Sequence, residues 1–322
     1  MEFFSFDSAN SPHLSALVSI WNATCGDDLA INARLIAYNT RVATGARQAG
    51  QIAFENNRAV GFILASALPN DPQTSPPQFG WIDALAVAPE FQRRGIGSAL
   101  IAWAEEWLRA QGCARFRLGG SLHPFAPGVP EELNAEKFFR ARGYQARGAN
   151  DAVWDVARDL MDYERATQFE NASHVEIRSA RVGDESALRE FFLREFPGRW
   201  RFEFEEFLRA RGTMSDYILL WTERGVDGFA RVTFEDSERP IERFYMRRLS
   251  KPWGQLGPIG VSKSLRGHGF GGALMDAALR HLKSRGVRGC VIDWTDLIEF
   301  YRKFGFETFR QYRMLVKADD SQ

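Results

Sequence analysis

Two glycine-rich segments of the chain have residue types and a spacing that suit the binding of phosphate. Residues 92–97 read QRRGIG and residues 266–271 read RGHGFG. Each follows a short apolar segment and precedes an amphipathic one, which predicts a strand, a turn and a helix. The first N–H groups of such a helix have no partner within it, and glycines let an anion approach them closely. The pattern therefore predicts phosphate or pyrophosphate sites.

Two common phosphate-binding loops are excluded by the residues that surround these glycines. No Gly-Lys-Ser or Gly-Lys-Thr follows them, so the loop of the nucleoside triphosphatases is absent. The dinucleotide fingerprint needs a third glycine where Leu100 and Leu274 stand. The loops therefore belong to another class of phosphate ligand.

The glycine segments are part of a longer repeat within the 322 residues. Gly95 and Gly97 recur 174 positions later as Gly269 and Gly271, and the segments EKFFRARGY (136–144) and IEFYRKFGF (298–306) recur 162 positions apart. The first half therefore carries 12 extra residues, and the proline-rich stretch 121–132, which could form a lid or a domain contact, is the candidate. We predict two copies of one α/β domain, at 1–165 and 174–322, with a linker at about 166–173.

Composition excludes several classes of function. Lys plus Arg equals Asp plus Glu at 41 each, so no net field attracts nucleic acid or an anionic membrane. No apolar run approaches the roughly 20 residues that a membrane-spanning helix needs. The three cysteines and five histidines lack ligand spacing, so we predict neither a metal site nor a disulfide. The first residues do not resemble a secretory signal, and we expect a cytoplasmic protein.

The segment LAVAPEFQRRGIGSAL (85–100) resembles the acetyl-CoA signature of the GNAT superfamily of N-acetyltransferases, Gln/Arg-x-x-Gly-x-Gly/Ala after a strand. Both copies fit it, and the tandem arrangement is also similar to that of the mycothiol synthases. The resemblance implies an α/β (α+β) fold: two twisted, mixed, mostly antiparallel sheets flanked by helices, each with two central strands that splay around the pantetheine arm. It assigns backbone groups near Leu85, Val87, Ile259 and Val261 to that arm. The residues it assigns to the pyrophosphate are Gln92, Arg93, Arg94, Gly95, Ile96, Gly97 and Ser98, and Arg266, Gly267, His268, Gly269, Phe270, Gly271 and Gly272.

The resemblance also suggests groups for proton transfer. Members of this family often use a tyrosine of the closing helix as the acid, and Tyr301 holds that position where the first half has Phe139. For the base they often use a carboxylate on the strand before the glycines, which is Asp83 in the first half and Gly257 in the second. Asp293, on the next strand, is a possible substitute. Each of these residues could instead be structural: Tyr301 a core aromatic, and the aspartates capping or pairing groups.

These differences favour the second half as the catalytic one. The predicted reaction moves acetyl from acetyl-CoA to a small amine or a peptide amine in a monomer or homodimer. The aromatic segment 189–212 could wall the acceptor pocket, with Glu205 and Glu206 near the amine, or could simply fill the core. Two alternatives stay open: a non-catalytic protein that binds acetyl-CoA, and a first half that serves mainly to pack against the second.

Overall fold

The computed structural model describes residues 1–146, 151–166, 175–242 and 246–318. The chain forms two compact units, Met1–Val153 with Arg310–Gln322, and Trp154–Phe309. The predicted linker, apart from Ala166, lies outside the described residues. Among the described residues, no helix is long and apolar enough to cross a membrane.

The first half contains four α-helices and eight strands within the described residues. In chain order they are β1 (Glu2–Ser5), α1 (Ser11–Cys25), α2 (Ala33–Asn39), β2 (Arg47–Glu55), β3 (Arg58–Ala67), β4 (Phe79–Val87), α3 (Ile96–Ala110), β5 (Arg115–Leu118), β6 (Val129–Pro130), α4 (Glu136–Arg140), β7 (Gln145–Ala146) and β8 (Ala152–Asp159). The turn between β2 and β3 uses Asn56 and Asn57 with positive φ, the conformation of a two-residue hairpin turn.

The second half repeats this order, except that β6 of the extra segment has no counterpart. Its elements are β9 (Glu176–Ser179), α5 (Glu185–Glu195), α6 (Arg199–Arg209), β10 (Tyr217–Thr222), β11 (Gly225–Phe234), β12 (Trp253–Val261), α7 (Phe270–Ser284), β13 (Gly289–Thr295), α8 (Ile298–Arg302), β14 (Glu307–Arg313) and β15 (Leu315–Ala318). The strand before each glycine loop and the helix after it have the same bounds when shifted by 174 residues. The predicted duplication is therefore confirmed at the level of individual elements.

Each unit is built on a twisted sheet. The first sheet has the order β1-β2-β3-β4-β5-β15-β7. In the second unit the strands run β9-β10-β11-β12-β13-β8. Neighbouring strands are antiparallel except for one central pair in each sheet, β4 with β5 and β12 with β13, which are parallel. This is the mixed, mostly antiparallel α/β architecture that the resemblance implies.

The last strand of each half lies in the other half's sheet. Strand β15 pairs with β5 in the first unit, and β8 pairs with β13 in the second. The units therefore differ from the predicted ranges, because residues 310–322 belong with the first unit and 154–165 with the second. Sequence patterns identify a strand but not the sheet that receives it.

A buried carboxylate on the central helix binds the residues around each exchanged strand. In the first unit Glu105 of α3 accepts a hydrogen bond from the Tyr144 hydroxyl at 3.0 Å and pairs with Lys317 of β15 at 2.7 Å. In the second unit Asp276 of α7 accepts from the hydroxyl of Tyr163, just after β8, at 2.7 Å. A buried charge needs such partners, so these contacts fix the exchanged strands in place.

Helices cover both faces of each sheet and bury its apolar side chains. In the first unit α3 covers one face with Leu100, Ala104 and Leu108, and α1 and α2 cover the other. In the second unit α7 packs on Val232 and Leu256, while α5 and α6 pack aromatic side chains on Phe229. Burial of one such side chain contributes roughly 1.5–3 kcal/mol, so the layers hold the central strands rigidly. The site is built where those strands end.

Candidate functional site

The two glycine loops have the same backbone conformation. Gly95 caps α3 with φ 85° and ψ −9°, and Gly269 caps α7 with φ 85° and ψ −13°. A side chain is strained at such positive φ, which explains glycine at both positions. Among the described residues, none accepts a hydrogen bond from the backbone N–H groups of residues 267–271. These donors and the helix dipole give the loop the properties of an anion site.

Beside each loop the two central strands separate. In the second unit β12 pairs with β13 only through residues 253–255, yet β12 continues to Val261 and β13 to Thr295. In the first unit β4 pairs with β5 through residues 79–82 and then continues to Val87. The strand segments that hold Ile259 and Val261, and Leu85 and Val87, therefore line the gap between the separating strands. The predicted arm-binding residues lie there in both halves.

The two loops differ at their last glycine, which is open in the second unit and covered in the first. A Cβ atom built on Gly271 would meet no atom within 4 Å, and the same is true at Gly267 and Gly269. A Cβ atom on Gly97 would lie 3.2 Å from Cζ of Phe138, whose ring extends from α4. Arg142 stacks on that ring at 3.7 Å and donates a hydrogen bond to the Ser98 hydroxyl. A Cβ atom on Gly95 would also meet no atom within 4 Å, so the difference between the two loops is this cover over Gly97 and Ser98.

Other predicted loop residues of the first unit also bind within the chain. The Val87 carbonyl accepts a hydrogen bond from the Gln92 side chain at 2.9 Å, and the Thr24 hydroxyl, which donates to the Ile20 carbonyl at 2.7 Å, lies 3.1 Å away. Arg94 donates to the Glu90 carbonyl at 2.9 Å and stacks on Phe91. Arg93 is exposed, and Ile96 is buried as the first residue of α3. The Val87 carbonyl thus already has a protein donor in Gln92.

The glycine loop of the second unit is held at its base, just after β12, by Asp227, which is fully buried at the start of β11. Asp227 accepts a hydrogen bond from the Ser262 hydroxyl at 2.6 Å and pairs with Arg224 at 3.0 Å. Burial would raise the pKa of Asp227, but hydrogen bonds from Ser262, Thr222 and Arg224 outweigh it and lower the pKa. Arg266 and His268 remain exposed in the loop above, while Gly272 is buried in α7. The anchor fixes the end of β12 and leaves basic side chains facing solvent.

Asp83 is enclosed by its own unit. It accepts hydrogen bonds from the Ser66 hydroxyl at 2.7 Å and the Gln48 side chain at 3.1 Å, and a third from Ser121. Burial raises its pKa to about 6, and the hydrogen bonds lower it only in part. Ser121 belongs to the extra segment, whose residues 121–130 are all buried. The segment predicted as a possible lid thus covers the face of the sheet on which Asp83 lies.

The extra segment is held by packing as well as by hydrogen bonds. Phe125 packs against Trp21 of α1 with ring centroids 5.3 Å apart, and the His123 ring stacks near Tyr38 at 4.6 Å. At its end, Pro130 and Val129 pair with Tyr312 and Arg313 of β14 within the first unit. An apolar, buried segment of this kind closes the space above Asp83.

Asp293 lies on β13 next to Gly257, the glycine that stands at the position of Asp83 in the first half. Its Oδ1 accepts a hydrogen bond from Nε2 of Gln255 at 2.7 Å. A Cβ atom built on Gly257 would lie 3.6 Å from that same Oδ1. The carboxylate of Asp293 therefore lies beside the place where Asp83 has its side chain in the first half. Burial raises the pKa of Asp293, Arg239 lowers it in part and Glu203 adds to the rise.

Tyr301 is buried at the closing helix α8 in the second unit. Burial raises the pKa of its hydroxyl above the ordinary value, the charge of Asp293 adds to the rise, and a hydrogen bond with the Thr295 hydroxyl lowers it in part. Tyr301 therefore stays protonated at neutral pH. In the first unit Phe139 is buried between Phe138 and Tyr144, at ring distances of 5.1 and 6.0 Å. The structure thus brings Tyr301 and Asp293 together in one unit, and Asp83 lies in the other.

The acceptor side of the second unit is lined by α6. The aromatic residues Phe191, Phe192, Phe202, Phe204 and Phe207 fill the core, whereas Phe196 and Trp200 are partly buried and lie against Gly260 of β12. Glu205 pairs with Arg201 at 2.9 Å and Glu206 with Arg209 at 2.5 Å, so both carboxylates have cations beside them on the helix. Those two pairs follow the i,i+4 and i,i+3 spacing of ion pairs along a helix.

Several polar residues at this site were missed by the sequence reasoning. Glu203 pairs with Arg199 at 2.6 Å and with Arg239 at 3.8 Å. Burial would raise the pKa of Glu203, but these two guanidinium groups outweigh it and lower the pKa. Gln255 lies two residues before Gly257 on the same strand face, so the alternation of a strand could have found it. Nothing in the sequence indicates that Arg239 meets α6.

Comparison with known proteins gives a family for this arrangement. A model of the acetyltransferase (GNAT) family matches residues 20–144 and 185–306, which is more than half of the chain. A mycothiol acetyltransferase of Saccharomonospora viridis is 28% identical over 241 residues, 70% of each chain. Another, from Geodermatophilus obscurus, is 26% identical over 240 residues, 69% of each chain.

Two solved structures share the whole fold. The glucosamine N-acetyltransferase region of a fungal multi-domain β-N-acetylglucosaminidase superposes with a TM-score of 0.86 at 25% identity, over 98% of this chain. The chain spans 38% of that longer protein. A tandem GNAT protein from the clavulanic acid biosynthesis pathway superposes with a TM-score of 0.71 at 16% identity, over 100% of this chain and 99% of that one. Among the described residues there is no cluster of metal-binding side chains.

Proposed function

The chain belongs to the GNAT family of acetyltransferases, and we propose that its second half transfers an acetyl group from acetyl-CoA to a primary amine. The observation that carries the proposal is the difference between the two glycine loops. The loop at Gly271 is open, whereas Phe138 and Arg142 cover the loop at Gly97 and Ser98. The first half then serves as a structural partner whose own acceptor face is filled by residues 121–130.

The second half has the parts that hold acetyl-CoA. The free N–H groups of residues 267–271 and the end of α7 suit the pyrophosphate, and Arg266 adds positive charge. Glycine at 271 leaves room for a phosphate oxygen, since a Cβ atom there would point into open space. The exposed backbone edge of β12 near Ile259 suits the amide groups of the pantetheine arm. The thioester then reaches the separated ends of β12 and β13.

Asp293 and Tyr301 divide the proton transfers of the reaction. The amine must lose a proton when its nitrogen attacks the thioester carbonyl, and Asp293 accepts that proton directly or through a water. Because its pKa is raised, this carboxylate is a stronger base than an ordinary one. The C–S bond then breaks, and the protonated Tyr301 hydroxyl gives its proton to the departing thiolate. Gln255 holds Asp293 in position at 2.7 Å.

The acceptor that best fits this site is an amino sugar. The fungal region that shares the fold is a glucosamine N-acetyltransferase at 25% identity. The face of the sheet beside Asp293 carries buried polar side chains from β11 and β12, Arg231, Thr233 and Gln255, which suits a ligand with several hydroxyl groups. D-Glucosamine is therefore the first amine to assay.

The test is acetyl-CoA-dependent release of CoA thiol in the presence of D-glucosamine, with the variant Tyr301→Phe. We expect kcat to fall by about 10²–10⁴-fold while the Kd for acetyl-CoA stays nearly constant, because the phenol acts on the leaving group alone. Tyr163→Phe is the matched control, since it removes a hydroxyl that binds Asp276 far along α7. Full activity in Tyr301→Phe would show that Tyr301 is not the acid. Binding of acetyl-CoA without transfer to any amine would instead support a non-catalytic role.

A further inference from the structure

Three buried polar atoms on the acceptor face of the second sheet have no hydrogen-bond partner among the described residues. They are Nε of Arg231, Oγ1 of Thr233 and Oε1 of Gln255. The three residues are 7%, 1% and 1% exposed. An unpaired buried donor or acceptor costs roughly 1–3 kcal/mol, so three of them together form an unusual concentration. Such a group of atoms is expected where a ligand supplies the missing partners.

The strand register places the three side chains on one face. Thr233 of β11 lies opposite Gln255 of β12 in the antiparallel ladder, so their side chains are neighbours. Arg231 comes two residues before Thr233, at a register shift of the ladder between Ala230 and Val232, and its ring contacts place it on the same face. Its guanidinium lies 5.1 Å from the Phe207 ring and 5.9 Å from the Tyr217 ring, on the side of the sheet that α6 covers. The opposite face carries Val232 and Leu256 in the core under α7.

The chemistry of the three atoms is that of a binding surface for hydroxyl groups. The Arg231 Nε–H donates, the Gln255 Oε1 accepts, and the Thr233 hydroxyl does both. A hydroxyl group also donates and accepts, so two or three neighbouring hydroxyls satisfy all three atoms at once. Glu203 and Asp216 lie near enough for the charge of Arg231 to act on both: burial raises the pKa of Asp216 to about 6 and Arg231 lowers it in part, and Arg231 adds to the lowering of the Glu203 pKa. The surface therefore suits a neutral hydroxylated group better than an anion.

Gln255 connects this surface to the reacting group. Its Nε2 donates to Asp293 while its Oε1 is the unpaired acceptor. A ligand whose hydroxyl binds Oε1 thus lies within one side chain's length of the Asp293 carboxylate. An amine on the neighbouring carbon of the same ligand would reach that carboxylate.

We propose that Arg231, Thr233 and Gln255 are the specificity-determining residues of the acceptor site, and that they recognise vicinal hydroxyl groups of an amine substrate whose nitrogen faces Asp293. This inference rests on the proposed function. It adds the identity of the residues that select an amine with several hydroxyl groups over an amine without them. Thr233 contributes the hydrogen bonds that a valine of equal shape would lack.

The experiment compares D-glucosamine with cyclohexylamine as acceptors for the full chain, by release of CoA thiol. We expect Thr233→Val to lower kcat/KM for D-glucosamine about tenfold, mainly through KM, and to leave that for cyclohexylamine unchanged. Arg231→Lys keeps the charge but moves the donor, and we expect a loss of tenfold or more with D-glucosamine alone. Thr213→Val, at an exposed threonine of the same unit, is the control for the substitution itself.

The outcomes separate this inference from the proposed function. If wild-type protein acetylates D-glucosamine and Thr233→Val does so equally well, the inference is wrong and the proposed function stands. If Thr233→Val loses the same factor with both amines, the residue is structural and the inference is again wrong. If the wild type releases no CoA with either amine, the proposed function fails and the inference fails with it.

Discussion

Replacing Asp83 with asparagine should stabilise the protein and leave its acetyl transfer intact. Asp83 is 4% exposed, and burial raises the pKa of its carboxyl from 3.8 to about 6. At neutral pH the folded state must therefore keep a charge in a place that disfavours it. Asparagine has the same shape and no charge. Its oxygen can accept from Gln48 while its amide donates to the Ser66 hydroxyl, which can reverse its role.

The size and the pH dependence of this stabilisation follow from the shift in the pKa of Asp83. A raised carboxyl pKa means that the folded state binds more protons than the unfolded state between pH 3.8 and about 6. The wild type thus has its full free energy of unfolding below pH 3.8 and loses part of it as the pH rises through about 6. The variant escapes this loss, which amounts to about 3 kcal/mol above pH 6. At pH 5 the difference should be about half as large.

Urea unfolding of both proteins at pH 5 and pH 8, with CoA release measured in parallel, checks this reasoning. We expect the unfolding free energy of Asp83→Asn to exceed that of wild type at both pH values, with the larger gain at pH 8. We expect kcat/KM to change less than twofold. A tenfold loss of activity in a variant that folds normally would show that the first half carries the base. A destabilised variant at pH 8 would refute the burial argument.

Two further predictions concern the second site and the exchanged strand. Asp293→Asn should lower kcat about 10²-fold or more. Because burial raises the pKa of Asp293, the wild-type rate should begin to fall at a higher pH than it would with an ordinary carboxyl as the base. A pH–rate profile of both proteins checks this. Glu105→Gln should lower the free energy of unfolding, measured in urea, by about 3 kcal/mol, because Lys317 of β15 loses its charged partner while the site is untouched. An unchanged unfolding midpoint would contradict the anchoring role of Glu105.

Local elements followed from the sequence because the signals that set them are local. The glycines and the apolar period around Gly95 and Gly269 define where α3 and α7 begin, and Gly112 and Gly286, both with positive φ, follow their ends. The hairpin at Asn56 and the repeat itself were equally readable. Each depends on residues within a few positions of one another, where backbone preferences decide the outcome.

The rest depended on contacts between distant residues. Strand β15 reads like β8, and nothing in either pattern says which sheet receives it. The prolines of residues 121–132 indicate a loop, but nothing local shows that Phe125 and its neighbours bury it against α1. The bond between Gln255 and Asp293 needs the register of two strands 38 positions apart in the chain. The cover on Gly97 comes from Phe138, which the sequence places on α4 but not against α3.

A calorimetric titration with acetyl-CoA tests the central claim, that only the second half is a working cofactor site, most directly. The stoichiometry should be one acetyl-CoA per chain. Gly271→Glu should abolish binding, because the new side chain fits the open space but sets a negative charge beside the phosphates, whereas Gly271→Gln should weaken binding less. Arg93→Glu changes the charge by two units, against one for Gly271→Glu, but on the exposed first loop, and it should leave binding unchanged. Two sites per chain, or a single site lost in Arg93→Glu and kept in Gly271→Glu, would contradict the account.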